Sequence, residues 1–358
     1  MDGLSQLNTM LQRIQAPAFR VEKGVITHVN QAASAHLIEV GQAFAPMILS
    51  GGPEYEDFSA GELYVTLTLA GISIGAHISS LENGDLVILE QTSESPELQA
   101  MALAAKMLRK PLDGILNLAS QILPAAVDEN PELKSQADQM NRRIYQMMRL
   151  INNMSDTAGY AQAQMHRMET VEICSFLKEI MEKAVSMTTE NNISIAYEIP
   201  NAPIFTLADP EQLERAVYNL LSNAIKSATP GTTVRMKLVR KNTRLYISIC
   251  NSHRDFGSQS SIFNRYLRNP AQVEDPKNGL GLGMTIVCST AMVHGGAVLV
   301  DKTEDGTRIT MTLQIRTKAS NQVLSPILRF DYAGEHDHCL VELADVLPAE
   351  HYSVDQIK

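Results

Sequence analysis

The spacing of apolar positions changes period along the chain, and each change marks a different kind of element. From Phe19 to Gln91 the period is two. FRVEKGVITHVN sets two alternating runs about Lys23-Gly24, which predicts a hairpin. A short helical patch, QAASAHLIEV, follows it. Residues 63–81, LYVTLTLAGISIGAHISSL, alternate Val, Leu and Ile with Thr, Ser and His on both sides of Ala70-Gly71, and DLVILEQ follows the turn Glu82-Asn83-Gly84. The 63–81 stretch carries no charge and has about the length of a bilayer span. Its period of two predicts paired strands instead, so no membrane helix is expected.

From Ser95 to Met165 the period becomes helical. Met101, Ala105, Leu108, Leu112, Ile115, Ala119 and Ile122 step by four and three, and Leu133, Ala137, Met140, Ile144, Met147, Ile151, Met154 and Ala158 repeat the rhythm after a break holding Pro124 and Pro131. Two such stripes predict an antiparallel helical hairpin. Each stripe is too narrow to close a core alone, so a second hairpin is expected to complete a four-helix bundle. The methionines in it read as core filling, since a flexible thioether fits irregular apolar gaps.

From Val171 to Arg316 helices and strands alternate: a helix near Cys174–Thr189, the strand ISIAYEI, a helix over Pro210–Ser227, a hairpin turning at Lys241-Asn242, a glycine loop leading into a helix, and a closing hairpin. This pattern predicts an α+β sandwich. In the remaining residues, HCLVELADVL reads as a buried strand. His336, His338, His351 and Cys339 beside it lack paired ligand spacing, so they suggest no metal site. The expected organisation is therefore multidomain α+β: residues 1–94 a strand-rich region, 95–166 the hairpin, 167–316 the sandwich and 317–358 an extension without evident chemistry.

Composition narrows the function. Thirty Lys and Arg against forty Asp and Glu give a net charge of −10 over 358 residues, which argues against nucleic acid as a partner. Cys174, Cys250, Cys288 and Cys339 stand far apart with no CxxC pair, which suggests neither a zinc site nor a disulfide framework. The first residues lack an apolar run of the secretory kind. A reduced, cytoplasmic setting fits these features.

Two motifs carry candidate chemistry. Asn219, Asn223 and Lys226 sit at i, i+4 and i+7 and so share one helix face, with Leu220, Leu221, Ala224 and Ile225 free to bury the other. Two carboxamides and an ammonium suit a Mg²⁺–phosphate group, the amide oxygens toward the metal and the lysine toward phosphate. Alone, the same helix reads equally as an ordinary polar surface. Gly279, Gly281 and Gly283 alternate and then enter a helix, where backbone N–H groups can face phosphate. Their spacing is not that of a dinucleotide-binding loop.

In this order, and about sixty residues apart, the two motifs resemble the histidine-kinase branch of the GHKL ATPase superfamily. NLLSNAIK (219–226) resembles the N box, SIFNRYLR (261–268) the F box, and GLGLGMTIV (279–287) with His294-Gly-Gly the second glycine box. LRKPLDGILNLASQI (108–122) resembles the first dimerisation helix, and the N-terminal strands resemble a PAS-type sensor. The resemblance implies a GHKL-type sandwich with ATP and Mg²⁺ as cofactors. It assigns the metal to Asn223, with Asn219 one turn earlier, and the phosphates to Lys226, Arg268 and the loop of Gly279, Gly281 and Gly283. Adenine falls to Asn251. It also implies a homodimer through the hairpin, and a response regulator or partner kinase as further partner.

The departures matter as much. Lys106 stands where the family carries its phosphoacceptor histidine, and Met107 and Lys110 replace the acidic and Thr or Asn neighbours. A lysine ammonium cannot replace a neutral imidazole as the nucleophile at phosphorus. Asn251 replaces the adenine-reading Asp, His253 and Asp255 replace two glycines, and Ser227 stands where an aromatic ring is usual. Three functions follow: a degenerate kinase acting as a dimeric signalling scaffold, an ATP-dependent kinase acting in trans on another protein's histidine, or a ligand-sensing adaptor without nucleotide chemistry. No autophosphorylation on histidine is expected in any of them.

Overall fold

The computed structural model describes residues 11–90, 96–127, 131–159, 167–188, 192–252, 282–304, 306–316 and 336–353. The N-terminal strands are β1 (Ala18–Glu22), β2 (Val25–Val29), β3 (Ile48–Ser50), β4 (Glu62–Leu69), β5 (Ile72–Leu81) and β6 (Gly84–Leu89), with short helices α1 (Gln31–Ala35) and α2 (Gly52–Glu56). The turns fall where the alternation breaks. Lys23 and Gly24, like Ala70 and Gly71, adopt positive φ, as tight hairpin turns require. Phe19, Val21, Ile26, Phe44, Val65, Leu67, Ile78 and Val87 form the core of this part.

Two long helices follow, α3 (Pro96–Val127) and α4 (Pro131–Gly159). Helix α3 runs through Pro124, contrary to the break expected there. The missing proline N–H removes one ladder bond, three residues before the helix end. Half of each apolar stripe is covered inside the hairpin: Ala105, Leu112 and Ala119 on α3, and Ala137, Ile144 and Ile151 on α4, are buried. The other half is not. Leu108, Ile115, Met140 and Met147 are exposed.

The remaining elements are β7 (Glu169–Glu172), α5 (Ile173–Thr188), β8 (Ser194–Glu198), β9 (Phe205–Ala208), α6 (Pro210–Ser227), β10 (Thr233–Lys241), β11 (Arg244–Ser252), α7 (Leu282–Val293), β12 (Val298–Thr303), β13 (Gly306–Gln314) and α8 (His338–Glu342). Strand alternation in β11 buries Leu245, Ile247 and Ile249 on one face. Helix α6 begins as its sequence dictates: the Asp209 side chain accepts from the Gln212 N–H, and Pro210 opens the first turn.

Eleven strands join in one sheet, in the order β2-β1-β6-β5-β4-β12-β13-β11-β10-β8 with β3 beside β4. Only β8 and β10 pair in parallel among the described strands, which excludes a doubly wound parallel sheet. The seam between the N-terminal strands and the sandwich is β4 against β12, where Tyr64, Leu63 and Glu62 oppose Val298, Leu299 and Val300. Side chains lock it. Ser50 Oγ donates to the Gly296 carbonyl at 2.8 Å, and the buried Glu54 carboxylate accepts from Thr312 Oγ1 at 2.8 Å and faces Arg244 at 3.3 Å. Joining the two edges also removes two rows of unpaired backbone groups.

The extension departs from its expected form. HCLVELADVL folds as helix α8 and the turns after it, where a strand is expected. Asp337 caps the helix by accepting from the Cys339 and Leu340 N–H groups, and such a cap favours helix over sheet. Cys339, Leu340, Val341, Leu343, Ala344, Leu347 and Tyr352 are buried within the main core.

Candidate functional site

Helix α6 places Asn219, Asn223 and Lys226 on one face, as the spacing requires. Leu213, Ala216, Val217, Leu220, Leu221, Ala224 and Ile225 are buried on its other sides. Asn219 itself is buried: its Nδ2 donates to the Arg215 carbonyl at 2.9 Å and to Glu342 Oε2 at 3.4 Å, and its Oδ1 accepts from Arg149 Nη2 at 3.0 Å. Asn223, one turn on, is half-buried. Lys226 Nζ pairs with Asp345 Oδ2 at 2.6 Å, the two side chains being 28% and 33% exposed.

Three elements far apart in sequence therefore meet at this face. Helix α4 contributes Arg149, which also donates to Ser222 Oγ at 3.0 Å and to Asp345 Oδ2 at 2.6 Å and lies 3.5 Å from Glu342. Helix α8 contributes Glu342, whose side chain is 0% exposed and pairs with Arg215 at 3.0 Å. Arg215 reaches back to Asn153 of α4 at 3.1 Å. Beyond α8, the carbonyls of Ala344 and Asp345 accept from Arg142, and the Tyr352 carbonyl accepts from Asn141. A buried carboxylate without these cations would be prohibitive, and two arginines meet it.

The charges perturb one another. Burial lowers the Lys226 ammonium, and the nearby Arg149 charge lowers it further against the pull of Asp345. Burial alone would raise the Asp345 carboxyl, but Arg149, Lys226 and Arg142 hold it below its ordinary value. At both groups burial opposes the charged form and the paired charge favours it.

Asn251 lies on the helix-facing side of β11, buried, and its Nδ2 finds no acceptor among the described residues. Gly283 stands in the first turn of α7. A Cβ there would lie 2.6 Å from Asn219 Oδ1, so its bareness lets α7 approach α6. His294 has a structural place: its Nδ1 donates to the Thr290 carbonyl at 2.7 Å, and its Nε2 accepts from the Asp209 N–H at 2.9 Å, tying the end of α7 to the start of α6. Arg268, Gly279 and Gly281, with His253 and Asp255, lie outside the described residues. Lys106 is exposed on α3, as are Met107 and Lys110.

Tested against ATP and Mg²⁺, the residues fit at one end and not at the other. The unsatisfied Asn251 amide suits the edge of an adenine, on which a carboxamide can both donate and accept. At the other end every polar atom of Asn219 is engaged within the chain, and Lys226 already holds a carboxylate. Arg149, Arg215, Glu342 and Asp345 escaped sequence reasoning. The first two look like the polar sides of their helices, and nothing local links residues 149 and 345.

Residues 208–317 match the family described as histidine kinase-, DNA gyrase B-, and HSP90-like ATPase. Sensor protein KdpD of Clostridium acetobutylicum is 26% identical over 231 residues, 60% of this chain and 25% of that protein. Adaptive-response sensory kinase SasA of Crocosphaera subtropica is 28% identical over 214 residues, 57% of this chain and 55% of that protein. The matched region thus spans about half or less of these curated relatives. Full-length ShkA, crystallised in complex with AMPPNP, superposes with a TM-score of 0.48 at 22% identity, over 62% of this chain and 47% of that one.

Proposed function

We propose, for a chain that is a homologue of sensor histidine kinases and carries a GHKL-type ATPase domain, that it is a dimeric signalling protein of the kinase kind without a phosphoacceptor of its own. The carrying observation is Lys106, exposed on α3 at the acceptor position of the resemblance, with no histidine on either helix of the hairpin. An ammonium at that position lacks the nucleophilic lone pair that phosphotransfer requires. The domain boundaries proposed are those of the sequence: a PAS-like region over 1–94, the dimerisation hairpin over 95–166, the ATPase domain over 167–316 and the extension over 317–358.

The open half of the apolar stripe supports the homodimer. Leu108, Ile115, Met140 and Met147 recur at heptad spacing beside the buried half, as the facing surface of a four-helix bundle does. The closed N-terminal core joined to the ATPase sheet through β4 supports a sensor mechanically continuous with it. Mg²⁺–ATP is proposed as ligand, with Asn223 toward the metal, Lys226 toward phosphate and Asn251 toward adenine. In such a site the metal neutralises phosphate charge, while the chain's own residues orient the nucleotide. A response regulator or partner kinase, and a cytoplasmic setting, belong to the same proposal.

One observation favours a second function, the adaptor without nucleotide chemistry: the engagement of Asn219 and Lys226 by the chain's own arginine and carboxylates. Incubation with γ-labelled ATP and Mg²⁺ tests the first. No acid-labile phosphohistidine is expected on this chain, and finding one overturns the absence of an acceptor. Transfer to the histidine of a separate protein would instead make the chain a kinase in trans.

A further inference from the structure

The extension, which sequence reading leaves without chemistry, carries two carboxylates onto the face that the resemblance assigns to metal and phosphate. They differ in kind. Glu342 is sealed between Arg149 and Arg215, deep beside Asn219. Asp345 stands at the open end, a third exposed, 2.6 Å from Lys226 Nζ and 2.6 Å from Arg149 Nη1.

We propose that Asp345 is a cis-acting occupant of the phosphate position at Lys226, so that nucleotide phosphate and the C-terminal segment compete for the same ammonium. This inference rests on the proposed nucleotide site and deepens it by naming its regulation. A carboxylate oxygen and a phosphate oxygen are both anionic acceptors for a lysine ammonium, and one partly covered ammonium does not serve both fully. The segment is held there by interactions that do not involve Lys226. Leu340, Val341, Leu343 and Leu347 are buried, the Tyr352 hydroxyl donates to the Leu340 carbonyl at 2.8 Å, and Arg142 and Gln146 hold the carbonyls around Ala344. The anchor thus presents Asp345 at high local concentration, as a tethered ligand is presented. Because the anchor grips α4, release of Asp345 also loosens the tie between α6 and the hairpin. Nucleotide occupancy is thereby coupled to the helices proposed to dimerise.

The test compares the full chain with Asp345→Asn, which keeps the shape and removes the charge, and with Glu350→Gln. Glu350 is an exposed carboxylate of the same segment, so this variant controls for net charge. Binding is read with trinitrophenyl-ATP in Mg²⁺, and hydrogen exchange follows the amides of residues 339–347 with and without the probe. Asp345→Asn is expected to tighten binding about tenfold or more, as removal of a competing closed state does. Glu350→Gln is expected to leave binding unchanged, and the probe to speed exchange around Ala344 in the unaltered chain. Equal affinities in all three proteins, with exchange unmoved, overturn the competition and leave the nucleotide site standing. No binding by any of them, with Asp345→Asn melting as a folded protein, overturns the site and the competition together.

Discussion

Replacing Arg149 with leucine tests whether the three-way cluster holds the molecule together. The guanidinium is nearly buried and meets Asn219, Ser222, Asp345 and Glu342. Leucine fills much of the same volume and removes every polar contact. Breaking a buried pair from one side costs about 3–5 kcal/mol, because the partner charge is left behind. Here each carboxylate keeps a second cation, Arg215 for Glu342 and Lys226 for Asp345, which moves the cost toward the lower bound. The Asn219 oxygen also loses its donor, worth about 1 kcal/mol. A loss of about 4 kcal/mol is expected, a drop in Tm of about 8–16 °C for a cooperative unit of roughly 150–250 residues. The chain has several modules, so the transition is assigned by hydrogen exchange over 213–226 and 339–347, where protection must fall first. Glu342→Gln in the Arg149→Leu background is expected to cost less than the two changes summed, by about 1–3 kcal/mol. Additive costs, or a Tm shift below about 2 °C, would show that the cluster is not one energetic unit.

Two further outcomes follow from the same structure. Glu211, in the first turn of α6, has its carboxyl pushed up to about 7 by burial and by Asp209. The folded state then keeps a proton that the unfolded chain releases near 4.5, so stability falls as pH rises between about 4.5 and 7. Melting curves of Glu211→Gln are expected to lack that fall, and a constant difference between the two proteins across the window would refute the assignment. On the hairpin, Ile115→Asp is expected to abolish the proposed dimer without unfolding the chain, since Ile115 faces outward while Leu112 is covered within one chain. Sedimentation reads the mass and circular dichroism the fold; an undiminished dimer would move the interface elsewhere.

The elements were legible because their causes are local. Alternation broken at Lys23-Gly24 and Ala70-Gly71, the stripe of α3 and α4, and Asp209-Pro210 at the head of α6 each specify backbone geometry within a few residues. The polar face of α6 was legible for the same reason: helical spacing alone puts Asn219, Asn223 and Lys226 on one side. The misreadings were local signals weighed wrongly. Pro124 predicts a break, yet the helix continues three residues past it. The apolar run of HCLVELADVL predicts a strand, but the Asp337 cap starts a helix.

What surrounds those elements was decided only in three dimensions. The alternation of β4 and of β12 says that each is a strand with an inner face, and nothing in either says that they pair across more than two hundred residues. The hairpin stripe implies a covered face, but only the folded protomer divides it into a half it buries and a half it leaves open. Arg149, Glu342 and Asp345 carry no sequence signal toward one another. Their pairing becomes favourable only after packing has withdrawn Arg149 and Glu342 from water and brought Asp345 to the edge of the same cluster. The sequence by itself thus determined most of the helices and strands and which residues share the face of α6. The tertiary structure decided what meets those residues now, because desolvation and long-range pairing belong to the assembled fold and to no segment of the chain.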